Sequence, residues 1–597
     1  MKKEKGTRPT MKISDIQDIL FLALLAAIFF ATAGIELDAP GLGDEEAFLV
    51  HPAFCMIKKD AVPRYLGIFW KHHRNFMLMT NAWVGPVSPL LYVPSLALFG
   101  PSVHVIRITR LFYGFITIAL LFLFAKNFFD RKIAYLSSFL LATFPFYIFL
   151  YRHGYLDDGI LPTFALATLL CFYAFYKHGK NKFLYWGAFF TGLGLCSKIT
   201  FLWFIGASIL VALFFKLKTR LNKKNIFIAC LLFNVAILPM TVFNVCNLDK
   251  WNRMEGSTIG AIINNVTITR GGNNNLYFHK NFMTRFTQLQ GIFNNRHGGT
   301  RIRTHPFYFY LFIVALSFYI IKFIVYRKDA QQTKIALIAS FFLILFFFSC
   351  FTINYFKIEH AAIYLPFAIL VIAKFLNDVF ESRFDVGKIA RKTRLLMDGP
   401  EKAADAAKVL SERKMLIAFS RKKSDAATAI TVALVTFFNY ATLIESYKIL
   451  YTKGLYPGQF NWTHPSTAVY TLSEYLVQKG IQRPLVIGPE LTVNVDILTH
   501  GNVKPRMCLS DNDYYELIKS FLEQSITEKD RYYLVVAQGF AQRFINTFQG
   551  MLIRYGKTID IVKIFYRKDG VPNIILFKLK DGQYSYELDQ YIKISSK

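Results

Sequence analysis

Three acids stand side by side in the stretch Gly41-Leu-Gly-Asp-Glu-Glu-Ala47, just beyond the first apolar run of the chain. Carboxylates beside a bilayer are ordinarily a solvated loop, so Asp44, Glu45 and Glu46 mean little alone. Other ionisable groups recur where later apolar runs end: Arg152, His153, Asp157 and Asp158, then Lys198, then Lys357, Glu359 and His360. A carboxylate can take a proton from a hydroxyl, and fixed cations stabilise a departing phosphate. Asp44 with Asp157 or Asp158 has the hard oxygen donors that suit a divalent ion such as Mg or Mn. The second acid pair is equally explained as a polar turn capping a helix. Lys198 stands out, because both flanking runs are apolar and no polar loop surrounds it; the alternative is a lysine snorkelling at a helix end.

These residues need elements that bring them together, and the composition says which kind. The chain has 597 residues, is 54% hydrophobic and holds 61 Phe, which excludes a single soluble domain. Repeated apolar runs near the length of a bilayer crossing read as transmembrane helices. We expect about eleven, near 16–36, 103–126, 133–150, 157–177, 183–197, 199–215, 225–246, 306–326, 333–353, 360–378 and 427–449. The first is flanked by Lys2, Lys3, Lys5, Arg8 and Lys12, with no clear cleavage site, and reads as an anchor. Cys171, Cys196, Cys230 and Cys350 lie within apolar runs as small hydrophobes, without disulfide or zinc spacing.

The net charge of +31 raises nucleic acid as a partner, but its placement argues against that. Lys126, Arg131 and Lys132 fall in one short connection, Lys177, Lys180 and Lys182 in another, and Lys216, Lys218, Arg220, Lys223 and Lys224 in a third. Arg327, Lys328 and Lys334 follow the same alternation, which places residues 1–15 and these loops on the cytoplasmic side. The basic segment 379–426 belongs there too and suggests amphipathic surface helices. The long loops 37–102 and 247–305 are then external. Within the first, residues 87–99 are apolar but broken by Pro89 and Pro94, and suit a helix along the membrane surface. The second holds Gly271-Gly-Asn-Asn-Asn275, Arg285, Arg296, Arg301 and Arg303, and is expected to be irregular.

After the last span, residues 451–597 read as a soluble domain. Short apolar runs at 484–487, 532–536, 559–565 and 574–577 predict strands, with helices near 466–479, 511–526 and 539–554. The expected architecture is therefore an α-helical polytopic membrane protein: a transmembrane module over 16–378, a last helix at 427–449 and an external α/β domain. No phosphate loop, nucleophile elbow or metal motif occurs in that domain.

The order of short motifs resembles a family. Asp44-Glu45 after the first span is similar to the first-loop acidic motif of GT-C glycosyltransferases, which use lipid-linked sugars. The resemblance continues through Gly85-Pro-Val-Ser-Pro-Leu-Leu-Tyr92, Leu98-Phe-Gly-Pro-Ser102, Arg107 with Arg110, and Phe144-Pro145. It extends through Arg152-His-Gly-Tyr-Leu-Asp157, Gly192-Leu-Gly-Leu-Cys-Ser-Lys198, Lys357-Ile-Glu-His360 and Tyr364-Leu-Pro366. Over about residues 15–375 the chain resembles the branch that contains protein O-mannosyltransferases and the lipid A aminoarabinose transferase.

That resemblance implies an inverting transfer from a polyprenyl-phosphate sugar to a lipid, glycan or protein acceptor outside an inner cell membrane. It implies Asp44 as the base and Glu45 as an orienting group. Lys198, Arg152, Lys357 and His360 are the candidates for holding the donor phosphate. Asp157 and Asp158 form a second acidic site, and a metal is implied only in some branches. A transporter or flippase of a lipid-linked substrate would instead call for internal repeats and mid-bilayer charges. A purely structural membrane protein would not need acids and Lys198 to converge.

Overall fold

The computed structural model describes residues 13–59, 77–153, 156–215, 222–247, 257–260, 278–293, 307–325, 330–351, 358–382, 429–454, 466–487, 491–507, 531–536, 548–550 and 552–583. Helix α1 (Ile13–Ala33) opens a bundle that continues with α2 (Asp44–Lys58), α3 (Val87–Phe99), α4 (Val103–Phe128), α5 (Arg131–Ala142) and α6 (Pro145–His153). Then come α7 (Leu156–His178), α8 (Asn181–Ser197), a 3-10 turn (Ile199–Phe201), α9 (Leu202–Phe214), α10 (Lys223–Ala236) and α11 (Leu238–Cys246). Helices α12 (Phe278–Phe293), α13 (Phe307–Val325) and α14 (Ala330–Ser349) precede a second 3-10 turn (Ile358–Tyr364) and α15 (Leu365–Ser382). Helix α16 (Ala429–Lys453) is the last of the bundle.

Among the described residues, 5 helices are long and apolar enough to cross a membrane, or up to 7 if each of two bent pairs counts as one span. Both pairs were expected as continuous spans. Helices α5 and α6 meet at 57° and α10 and α11 at 66°. Pro145 opens α6 and Pro239 stands in the first turn of α11. Each lacks the N–H that a continuous helix would need, so the chain breaks there. Helices α8 and α9, also expected as spans, are 17 and 13 residues long and are not among these crossings.

The bundle core is apolar on all sides of α15, where Phe367 to Ala373 are all buried. Helices α9 and α10 instead expose Ile209, Leu213, Phe214, Phe227 and Leu231, as helices facing lipid do. Charged pins tie the helices at one end. Asp18 of α1 accepts from Lys126 at 2.5 Å, Arg131 at 3.1 Å and Tyr135 at 2.7 Å, joining α1 to the end of α4 and the start of α5. Asp378 of α15 accepts from Tyr319 of α13 at 3.0 Å and pairs with Lys374. The turn that follows α1 meets the opposite end of α4, so it lies at the other end of the bundle from Lys126 and Arg131.

Two expectations about the connecting segments change. Asp44 does not sit in a loop but begins α2, with Gly43 extended as its cap at φ −70° and ψ 151°. Acids in a first helical turn suit the positive end of the helix dipole. The loop 247–305 contains α12, on which Arg285 is buried rather than solvated. Its guanidinium donates to the Ser349 carbonyl at 3.2 Å. Arg296, Arg301, Arg303 and the segment 383–428 lie outside the described residues. Helix α3 is present as expected, with Tyr92 and Leu96 buried and Leu98 and Phe99 exposed.

Beyond α16 the chain forms a 5-stranded sheet in the order β2-β1-β3-β5-β4. Its strands are β1 (Leu485–Ile487), β2 (Arg506–Met507), β3 (Tyr532–Val536), β4 (Lys557–Tyr566) and β5 (Pro572–Asp581). Strand β1 is parallel to β2 and β3, while β5 is antiparallel to β3 and β4. Helices α17 (Ala468–Gln478) and α18 (Val493–Leu498) accompany it. Strand β2 and α18 are too short to announce themselves by periodicity, and the helix expected at 511–526 lies outside the described residues.

Gly85 joins the segment before α3 to the end of α8. Its N–H donates to the Ser197 carbonyl at 3.1 Å, Ile199 N–H donates to the Trp83 carbonyl at 3.0 Å, and Val84 and Lys198 form an isolated antiparallel bridge. A Cβ at Gly85 would stand 1.7 Å from the Cys196 carbonyl oxygen. Gly85→Ala is therefore expected to part these segments, lowering the thermal unfolding temperature of the purified protein; an unchanged temperature would contradict this packing.

Candidate active site

The turn between α1 and α2 is irregular backbone buried in the protein, so its carbonyls need partners other than water. Arginine supplies five N–H donors in a fixed fork and keeps its charge. Arg107 of α4 uses all of them: to Glu46 at 3.1 and 3.0 Å, and to the carbonyls of Leu37 at 2.7 Å, Pro40 at 3.0 Å and Gly41 at 3.4 Å. Arg110, one turn further along α4, pairs with Glu46 and donates to the Arg152 carbonyl at 2.6 Å. Arg152, at the end of α6, donates to the carbonyls of Ala33, Ile35, Glu36 and Ala39 and to His153 Nε2. Glu46 also accepts the Gly43 N–H at 3.4 Å, which ties the cage to the first turn of α2. All four charged side chains are fully buried. The cage holds one carboxylate, paired with Arg107 and Arg110, against three guanidinium groups in all, so it is cationic as a whole.

Arg152 was expected to meet the donor phosphate. Its five N–H groups are instead all spent on the turn and on His153, which leaves none for an incoming anion. Arg107 and Arg110 were noted in the sequence without a role, and Glu46 only as a third acid. Two arginines three residues apart on an apolar helix were the available signal, since such residues share a face.

A second cluster assembles from three distant elements. Lys198, in the tight turn between α8 and α9, donates to Asp157 Oδ2 at 2.8 Å and Asp158 Oδ2 at 2.7 Å, at the start of α7. His360 Nδ1, in the 3-10 turn before α15, lies 2.9 Å from Asp158 Oδ2 and 3.3 Å from Lys198 Nζ. Burial works against the Lys198 ammonium, but the two aspartates outweigh it and hold its pKa above the ordinary lysine value. Burial dominates at His360 and pushes its pKa below the usual value despite Asp158, so the imidazole is neutral near pH 7. A neutral ring that donates its Nδ1 proton to Asp158 leaves the third Lys198 N–H for another acceptor. Tyr92 of α3 is fully buried.

The remaining expected residues divide plainly. Asp44 and Glu45 start α2, between the caged carbonyls of the turn and Glu46; their side chains lie outside what is described. Lys357 and the Glu359 side chain are also outside it. No group of three or more His, Cys, Asp or Glu among the described residues is arranged to hold a metal ion. The Asp157–Asp158 pair does not fit a divalent ion as it stands, because the Lys198 ammonium already lies between the two carboxylates.

With this geometry in hand, the chain can be set beside known proteins. Residues 84–243, from the Gly85 segment through Lys198 to α11, match the family model described as dolichyl-phosphate-mannose-protein mannosyltransferase. ArnT from Cupriavidus metallidurans, solved bound to undecaprenyl phosphate, is similar over 94% of this chain and 98% of its own, with a TM-score of 0.55 at 13% identity. The fold is that of the GT-C glycosyltransferases. The archaeal oligosaccharyltransferase AglB from Archaeoglobus fulgidus, solved with an inhibitory peptide and a dolichol-phosphate, is similar over 88% of this chain and 70% of its own, with a TM-score of 0.50 at 12% identity. No curated protein matches the chain in sequence. The GT-C fold accounts for the mostly helical bundle.

The cage makes a stability prediction. Glu46→Gln leaves Arg107 and Arg110 buried without their counter-charge, a change that typically costs about 3–5 kcal/mol. Asp15, half-exposed beside Lys126 and Arg131, is a fair comparison, because exposed pairs are worth roughly 0–1 kcal/mol. Thermal unfolding of the purified protein is expected to fall far more for Glu46→Gln than for Asp15→Asn; equal losses would contradict the buried cage.

Proposed function

We propose that this protein is an inverting membrane glycosyltransferase that moves a sugar from a polyprenyl-phosphate donor to a hydroxyl-bearing acceptor on the external face. The observation that carries the reading is the meeting of Lys198, Asp157, Asp158 and His360 beside the caged turn that starts Asp44 and Glu45. Segments of the chain far apart in sequence converge there, which a solvated loop or a snorkelling lysine does not require. The two structural neighbours were both solved with a polyprenyl phosphate lipid, which supports the donor class. The basic loops around Lys126 and Arg131, at the opposite end of the bundle, support an external site by the charge rule.

In this reading Asp44 takes the proton of the acceptor hydroxyl as its oxygen attacks the anomeric carbon. The bond from that carbon to the phosphate oxygen breaks, and polyprenyl phosphate leaves with the electron pair. Attack opposite the leaving group, without a carboxylate nucleophile, inverts the configuration. Glu45 orients the acceptor. The remaining N–H of Lys198 meets the phosphate, and the two aspartates fix the ammonium where it must act. The cationic cage behind the turn adds a field that favours the developing phosphate charge. Lys357 is a further candidate for that phosphate. An apolar hollow lined by Phe172, Ala188, Phe204, Ile209 and Phe233, between α7, α8, α9 and α10, suits part of a lipid chain.

A general base contributes typically 10²–10⁴-fold, so Asp44→Asn is expected to lower transfer by about that factor without loss of expression. Full activity in that variant would remove Asp44 as the base. Comparing cell-surface glycans and glycolipids by mass spectrometry, with and without the protein, identifies the product; no difference would sink the transferase reading. Lys198→Arg is expected to keep the cluster folded yet raise the KM for the lipid-linked donor roughly tenfold or more, the size of a lost charge-assisted contact. An unchanged KM would return Lys198 to a structural role.

A further inference from the structure

The arginine cage leaves two carbonyls of the turn unserved, those of Asp38 and Leu42. Both are taken by residues more than four hundred positions later. The Tyr470 hydroxyl of α17 donates to the Asp38 carbonyl at 2.6 Å. The Asn494 amide of α18 donates to the Leu42 carbonyl at 3.1 Å, and its own oxygen accepts the Val495 N–H at 2.9 Å, which fixes the orientation of the amide. Asn494 is fully buried. Two more contacts join the same partners: His51 Nε2 of α2 lies 2.8 Å from Asp496 Oδ2, and Lys568 Nζ lies 3.0 Å from Glu36 Oε2. Every carbonyl from Ile35 to Leu42 therefore accepts a hydrogen bond from a side chain, some from the bundle and some from the sheet region.

We propose that the C-terminal sheet region is a clamp on the acid-bearing turn, with Tyr470 and Asn494 as positioning residues that set the start of α2. The Leu42 carbonyl is two residues from Asp44, so a small shift at Leu42 reaches the backbone at the start of α2 directly. Misplacement of a reacting group by about 1 Å can cost on the order of 10²-fold in rate. The sheet region thus acts on the reaction through the turn rather than by touching substrate. This role rests on the reading of Asp44 as the catalytic base.

The test uses the full chain in detergent, with Tyr470→Phe and Asn494→Ala. Tyr470→Phe keeps the ring and removes only the hydroxyl, so it folds even if Asn494→Ala does not. Amide hydrogen exchange is followed at Ala39 and Ala47, whose N–H groups donate to the Glu36 and Gly43 carbonyls. Exchange there is expected to rise roughly fivefold to tenfold, the size of one lost hydrogen bond, while amides of β3 and β5 keep their protection. With a polyprenyl-phosphate sugar as donor, kcat is expected to fall roughly 10- to 100-fold with the KM for donor unchanged. Unchanged exchange at both amides overturns the clamp, whether or not transfer is detected. Raised exchange with full kcat overturns its positioning role. A wild-type protein that transfers no sugar overturns the transferase reading and with it the effect on rate, while the exchange result still decides the contact.

Discussion

An irregular turn buried at one end of a helical bundle must find hydrogen-bond partners for consecutive carbonyls, and this constraint organises the molecule. Water is the usual partner of such a backbone, and burial removes it. Unmade hydrogen bonds at these positions would each cost about 1–3 kcal/mol. Arg107 and Arg152 answer most of the demand, because each guanidinium reaches several carbonyls from one fixed plane. The cost of burying those cations is offset in part by Glu46, which faces Arg107 and Arg110 together. The result is a rigid support from which α2 begins.

The same end of the bundle carries the Lys198 cluster, and the two groups solve different problems. The cage spends arginine donors on backbone and immobilises it. The cluster holds a lysine between Asp157 and Asp158 with His360 at its edge, keeping charge at the mouth of three helices. Gly85 permits this by letting the preceding segment pack against the end of α8, where a side chain would strike the Cys196 carbonyl. The opposite end is simpler: Asp18 with Lys126, Arg131 and Tyr135 only ties helices together.

Much of this arrangement was legible along the chain. Apolar runs marked the helices, because a bilayer demands length and hydrophobicity that few other contexts do. The apolar segment 87–99 formed a helix, and four of the strands fell on the expected runs at 484–487, 532–536, 559–565 and 574–577. Lys198 stood out because nothing polar surrounded it in sequence, and it does meet Asp157, Asp158 and His360. The sequence misled where local chemistry was weighed without its partners. Arg152 read as a free cation, whereas its donors are consumed by carbonyls of residues 33–39. The acidic stretch read as a loop, whereas Gly43 caps a helix there.

Hydrophobic length, alternating basic loops and the spacing of charged motifs are local properties, so the one-dimensional chain was enough to predict a mostly helical bundle with apolar helices long enough to cross a membrane, and to mark residues whose chemistry could matter. Which donor serves which carbonyl is not local. Tyr470 and Asn494 carry no motif, yet they close the two gaps that the arginines leave at Asp38 and Leu42. Glu46 and Asp44 are two positions apart and of similar chemistry, but only folding sends Glu46 into an arginine cage. Partnership of this kind depends on distances between segments hundreds of residues apart, and only the tertiary structure decides it.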